Sequence, residues 1–208
     1  MAEQRVVDAK TAYNLTVRVL CDIEPSVETR FVYLFGQTEF NQKSVLSKAA
    51  QLWNEDQSRI ICIMGGDPIA GYPGGNAWTD QLVAQDIPWI FTFRIPQLPK
   101  TNTFTEAQAL VRFLKKQNEK SVYIVGPPFH QVRCFISAVT AALAEYPELK
   151  IYNKVGATLD WDERGIHSQG VLTGARKDFI DSEWERIEKY MNLVSPEEAL
   201  KYLENRDK

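Results

Sequence analysis

Two histidines occur among 208 residues, and one stands in a segment rich in groups able to do chemistry. Gly126-Pro127-Pro128-Phe129-His130-Gln131-Val132-Arg133-Cys134 sets His130 and Arg133 three residues apart. At the start of a helix that spacing puts both on one face. The imidazole could then move a proton, while Arg133 and the helix N-terminus favour a phosphate or carboxylate. A solvated helix start is the alternative. Cys134, four residues after His130, could act with it as a nucleophile pair, but packing beneath the helix is the expectation. A second segment, Thr101-Asn102-Thr103-Phe104-Thr105-Glu106-Ala107, carries hydroxyls and a carboxylate. Thr103 with Glu106 reads as a T-x-x-E capping box, which accounts for both residues structurally. The same helix end could also receive an anion through Thr101 and Thr103, with Glu106 orienting His130 or a water.

Three other loops offer supporting groups. Gly65-Gly66-Asp67 opens a glycine-rich stretch whose backbone could approach a ligand, or which could be a tight turn and a flexible surface loop. No Gly-Lys-Ser/Thr follows, and G-x-G-x-x-G spacing is absent, so a P-loop is excluded and no dinucleotide fingerprint is present. Gly36 ends another apolar run. Trp161, in the polar stretch from Gly156 to His167, is either a lid that stacks on a ring or a packing anchor. Asp67, Glu106, His130 and His167 do not follow a metal-ligand spacing, so no metal is expected and no cofactor can be named.

These loops need a frame. Phe31–Phe35, Ile60–Met64, Pro88–Phe93 and Ser121–Val125 are near-continuous apolar runs, and Lys150–Val155 is a weaker fifth. Runs of this kind suit strands covered on both faces. Between them lie helical patterns, around Val45–Trp53, around Leu110–Leu114, and over Phe135, Ile136, Val139, Ala142 and Leu143. The alternation predicts βαβ units in one three-layer, Rossmann-like α/β domain over 1–208, with about five mostly parallel strands. Val6, Ala9, Tyr13, Val17 and Leu20 predict an added N-terminal helix. A Ser195-Pro196-Glu197-Glu198 capping box predicts a C-terminal one, and Arg176 is read as starting another that carries Phe179, Ile180, Trp184, Ile187, Tyr190 and Met191. In such folds ligands bind at the carboxyl ends of the strands, where the loops above begin.

Composition bounds the partners. With 24 basic and 27 acidic residues the net charge is −3, which excludes a nucleic-acid binder working by bulk charge. A 44% hydrophobic and 25% charged chain is neither disordered nor fibrous. No run of eighteen apolar residues could span a membrane, and no export signal is read. Three cysteines, without C-x-x-C spacing, suit a reducing compartment, so a cytoplasmic location is expected.

Taken in order, these pieces resemble the bacterial YdcF-like and SanA-like family, over roughly residues 30–191. The matching parts are Leu34-Phe35-Gly36, Met64-Gly65-Gly66, the Thr-rich helix start 101–107, Tyr123-Ile124-Val125-Gly126 leading into His130-Gln131-Val132-Arg133, and Glu185-Arg186-Ile187-Glu188-Lys189-Tyr190. The chain differs at Glu106, where many members carry Asn, and at Asn76-Ala77-Trp78, where many carry Ser-Glu-Ala. The resemblance implies a Rossmann-like sheet with its site at the carboxyl edge, and a link to envelope polysaccharide metabolism. Together the residues and the resemblance lead to an enzyme acting on a small phosphorylated or nucleotide-like anion. In it His130 is the acid or base, helped by Glu106, and Gly36, Gly65, Gly66, Asp67, Thr101, Thr103, Arg133 and Trp161 bind. A non-catalytic protein binding a nucleotide-type molecule such as S-adenosylmethionine is the alternative.

Overall fold

Alternate residues of a single strand serve two different cores. In β1 (Phe31–Leu34) Phe31 and Tyr33 join a cluster with Leu110, Val111 and Phe135, whereas Val32 and Leu34 join Val45, Leu52 and Trp78. Successive side chains of a strand point to opposite faces, so a sheet covered on both sides must be apolar at every position. The structure, a computed structural model, describes residues 7–26, 28–55, 60–88, 90–93, 101–167, 172–189 and 192–208.

β1 is flanked by β2 (Ile60–Met64) and β4 (Ser121–Val125), with β3 (Ile90–Phe93) and β5 (Lys150–Asn153) outside them. The order is β3-β2-β1-β4-β5, and all four pairings are parallel. This is a Rossmann-like α/β sheet. β5 stops at Asn153, short of the expected Val155, although Lys154 and Gly156 still donate to Ile124 and Gly126. Residues 88 and 89 of the expected third run precede β3, and 89 lies outside the described residues.

Helices cover both faces. α1 (Ala9–Leu20), α4 (Thr103–Gln117), α5 (Gln131–Glu145) and the C-terminal α7 (Pro196–Arg206) pack on one side, joined by Ile187 of α6 (Ile180–Lys189). α2 (Glu39–Asn54) and α3 (Gly75–Val83) pack on the other. The C-terminal capping box forms as expected: Glu198 N–H donates to Ser195 Oγ, and Ser195 N–H donates to Glu198 Oε2. Arg206 then pins α7 by donating to Ile151 O at 2.6 Å and to both carboxylate oxygens of Asp22.

Several local expectations are corrected. On α1 the buried stripe is Leu15 and Val19, while Tyr13 and Val17 are exposed and Val6 lies outside the described residues. The helical spacing forms, but the side of α1 turned to α5 and α7 decides which face is buried. Leu143 on α5 is likewise exposed. The glycine-rich stretch after β2 is no simple surface loop. It runs into α3, which starts where Gly75 presses against the strand end; a Cβ there would lie 3.0 Å from Gly65 Cα and Met64 O. Gly74, at φ +95°, supplies a turn that side chains disfavour. The polar stretch after β5 contains β6 (Arg164–His167), which pairs antiparallel with β7 (Leu172–Ala175). Arg176 begins a 3₁₀ turn, Arg176–Phe179, ahead of α6, and Tyr190 and Met191 lie outside the described residues.

Burial on α5 yields a stability contrast. Phe135→Ala, at a fully buried ring, is expected to cost about 3–5 kcal/mol by urea unfolding. Leu143→Ala, at a side chain 42% exposed, should change stability by about 0.5 kcal/mol or less. Similar losses in the two variants would contradict the layering.

Candidate functional site

The strand order reverses between β1 and β4, whose connections leave towards opposite edges of the sheet. At such a switch point the loops splay apart and leave a crevice at the carboxyl ends of the strands. Here those ends are Gly36 and Gly126, and the N-termini of α4 and α5 arrive beside them.

The first turn of α4 is set by a cap one residue earlier than the spacing suggested. Asn102 Oδ1 accepts from Phe104 N–H and Thr105 N–H, both at 3.0 Å, and Thr105 Oγ1 accepts from Asn102 N–H. Asn is a stronger N-cap than Thr, so the reciprocal box falls on Asn102 and Thr105, not on Thr103 and Glu106. Thr103 and Glu106 are thereby released from capping, and both are buried. Three residues apart, they share the inner face of α4.

Glu106 turns towards β1. Its Oε1 accepts from Tyr33 Oη–H at 2.6 Å and from Gly36 N–H at 2.7 Å. A Cβ on Gly36 would come within 3.5 Å of that oxygen and 3.2 Å of the Met64 methyl, so glycine allows the close approach. Burial pushes the Glu106 carboxyl up to about 7; the bonds from Tyr33 and Gly36 and the charge of Arg133 pull the other way. The Tyr33 hydroxyl is raised well above its ordinary value, by burial first and by Glu106 second.

Thr103 faces α5. His130 is the N-cap residue of that helix, and its N–H donates to Pro127 O. His130 Nε2 lies 3.2 Å from Thr103 Oγ1, and Nδ1 lies 3.1 Å from the side-chain amide of Gln37. Arg133 donates from Nη1 to Thr103 Oγ1 at 2.7 Å. It also grips Glu183 of α6 through Nε at 2.5 Å and Nη2 at 3.3 Å, and Arg186 meets the same carboxylate at 3.0 Å. The carboxylate that Arg133 holds is thus one of the protein's own. Gln131 fixes the helix start by accepting from Gly126 N–H and donating to Asn153 Oδ1. Cys134 is buried beneath Gly126, where burial raises its thiol well above the ordinary value, opposite to what an activated nucleophile needs.

No protein-family model matches the chain, and no curated protein matches it.

Glu106, Gly36, Thr103, His130 and Arg133 therefore lie in one contiguous network. The remaining candidates lie elsewhere or at its margin. Thr101 is half-buried just before the Asn102 cap. Gly65 and Gly66 shape the turn into α3, where Gly66 O accepts from Gly75 N–H, and Asp67 is exposed. Trp161 is half-buried at the foot of the β6–β7 hairpin, its carbonyl accepting from Lys177 N–H. That hairpin is seated on α2. Thr38 Oγ1 donates to Ile166 O, and the buried Arg176 stacks on Phe40 at 4.3 Å while donating to Asn41 Oδ1 and Phe40 O. The side chain of His167 lies outside the described residues, as does the loop 94–100 after β3.

Among the described residues no three His, Cys, Asp or Glu side chains are grouped to hold a metal, and no helix is long and apolar enough to cross a membrane. Tyr33, Gln37 and Glu183 belong to the network but were not anticipated. Gln37 could have been suspected from its place directly after Gly36. Tyr33 reads as one more apolar strand residue, and nothing in the spacing pairs Glu183 with Arg133, fifty residues away.

The raised Glu106 value carries a stability consequence. The folded protein favours the neutral acid, so the contribution is whole below the ordinary value of 4.5 and is lost as pH climbs through about 7. Urea titrations at about pH 5 and about pH 8 should show wild type losing up to about 3 kcal/mol more than Glu106→Gln, which keeps the shape of the neutral acid. Equal losses in the two proteins would refute the assignment.

Proposed function

We propose that the chain is a YdcF-like enzyme acting on a small phosphorylated or nucleotide-like ligand, at the carboxyl ends of β1 and β4. The observation that carries this reading is the convergence of Glu106, Thr103, His130 and Arg133 at the point where strand order reverses. An open α/β sheet binds its ligands there. Buried titratable groups with a shifted carboxyl, gathered at such a crevice, are the usual furniture of acid–base chemistry.

The roles follow from the network. The anionic group of the ligand is met by the hydroxyl of Thr103 and by the N-terminal ends of α4 and α5, which favour negative charge. Arg133 lends positive potential but spends its fork on Glu183, so it acts largely by holding Thr103 in line. Glu106 and His130 are the two titratable groups available for chemistry, and hydrolysis or transfer at a phosphoryl-linked group is the reaction class.

One observation favours a second reading, a non-catalytic protein that binds a nucleotide-type molecule such as S-adenosylmethionine. Both ring nitrogens of His130 already have neighbours within the protein. Turnover measured against p-nitrophenyl phosphate, bis-p-nitrophenyl phosphate, nucleotides and sugar nucleotides separates the two. The enzyme reading expects product from at least one compound, with Glu106→Gln slower by about 10²-fold or more and His130→Ala also impaired but folded. Full activity in both variants would sink it. Thermal stabilisation by S-adenosylmethionine or a nucleotide, without turnover of any compound, would favour the second reading.

A further inference from the structure

We infer that Gln37 is a positioning residue that fixes His130 in its Nε2–H tautomer, so that the imidazole donates to Thr103 and does not act as a base. The inference rests on the site reading above and divides the labour within it. Gln37 is buried and follows Gly36 at the end of β1. One atom of its amide lies 3.2 Å from Phe35 O and 3.1 Å from His130 Nδ1. A backbone carbonyl can only accept, so the amide atom facing it is the NH₂ group, whichever way the amide is drawn. That group has two protons, one for each neighbour. His130 Nδ1 therefore faces a donor and carries its lone pair. Charging the ring would set Nδ1–H against the same NH₂ group.

The ring proton is thus on Nε2, directed at Thr103 Oγ1 3.2 Å away. Glu183 Oε2 stands 4.0 Å from the same nitrogen, and its negative charge favours a proton there. Thr103 Oγ1 also accepts from Arg133 Nη1. With donors on both sides of its oxygen, the Thr103 hydroxyl must direct its own proton to a further acceptor. An anionic ligand oxygen at the ends of α4 and α5 is such an acceptor. Gln37, His130 and Thr103 then form a chain of donors pointing one way, and proton transfer in the reaction falls to Glu106.

The chain's two histidines make this directly readable by long-range ¹⁵N–¹H correlation on uniformly labelled protein at about pH 8. His130→Gln identifies the His130 signals by their loss. The wild-type spectrum should show a protonated Nε2 and an unprotonated Nδ1 at His130. A protonated Nδ1, a doubly protonated ring or an evenly averaged pair would overturn the inference. In Gln37→Glu, whose carboxylate accepts from Nδ1–H, the pattern should invert; Gln37→Met, which removes the donor but leaves Glu183 beside Nε2, should let a measurable share of the Nδ1–H tautomer appear. An unchanged Nε2–H pattern in whichever of these folds would show that Gln37 does not fix the ring. Failure of every phosphoryl-linked compound to turn over overturns the catalytic reading and leaves this spectrum intact. A wrong tautomer leaves the Glu106→Gln kinetics intact.

Discussion

Burying a guanidinium beside the sheet is the constraint on which the rest of the site depends. Arg133 is 9% exposed, and an unmatched charge in such a place would cost several kcal/mol. Glu183 supplies the counter-charge from α6, and Thr103 supplies a further acceptor from α4. One side chain on α5 therefore ties together three helices that meet near the switch point. The first turn of α4 must present Thr103 inward, which works because Asn102 takes over the capping. The Thr103 oxygen, once drawn to Arg133, is also in reach of His130. The part of the network that joins Glu183, Thr103 and His130 follows from satisfying one buried cation.

The same burial sets the chemistry. Glu106 accepts two hydrogen bonds that favour its ionised form, yet removal from water outweighs them and leaves the carboxyl poised near neutrality. In low dielectric a hydrogen bond is stronger and an unmet one is costlier, so the polarity of each group becomes a consequence of its neighbours. The Gln37 amide is held by Phe35 O, and everything downstream of it is oriented in turn. This layered positioning is what a reacting or binding centre needs if its groups are to meet a ligand without rearranging.

Much of the frame was legible in the residues. Near-continuous apolar runs announced four strands and the weaker Lys150–Val155 stretch a fifth, and all five are strands. In β1, β2 and β4 successive residues enter the two cores, which leaves no room for polar alternation. His130 and Arg133 were legible as a pair, since i, i+3 spacing at a helix start is a local relation. Glu106 was legible as a candidate from its place at a helix start beside the strand ends, whereas the capping box read on Thr103 and Glu106 falls instead on Asn102 and Thr105, where Asn out-competes Thr as the cap. The face of α1 and the exposure of Leu143 depended on which neighbours dock, which periodicity does not state. α3 was hidden by glycine-rich residues whose role is to turn the chain back against β2. Glu183 and Gln37 were the least legible. Their meaning is tertiary, an ion pair across fifty residues and an amide contact across more than ninety.

A double-mutant cycle on the buried pair tests the central claim most directly. Glu183→Leu removes the carboxylate that the buried Arg133 grips and should lower the unfolding free energy by about 3–5 kcal/mol, whereas Arg133→Met leaves Glu183 with Arg186 and should cost less. The double variant removes both charges and should recover part of that loss, giving a coupling of about 2 kcal/mol or more. Losses that simply add would contradict the account, because the two side chains would then not be matching one another in the folded protein.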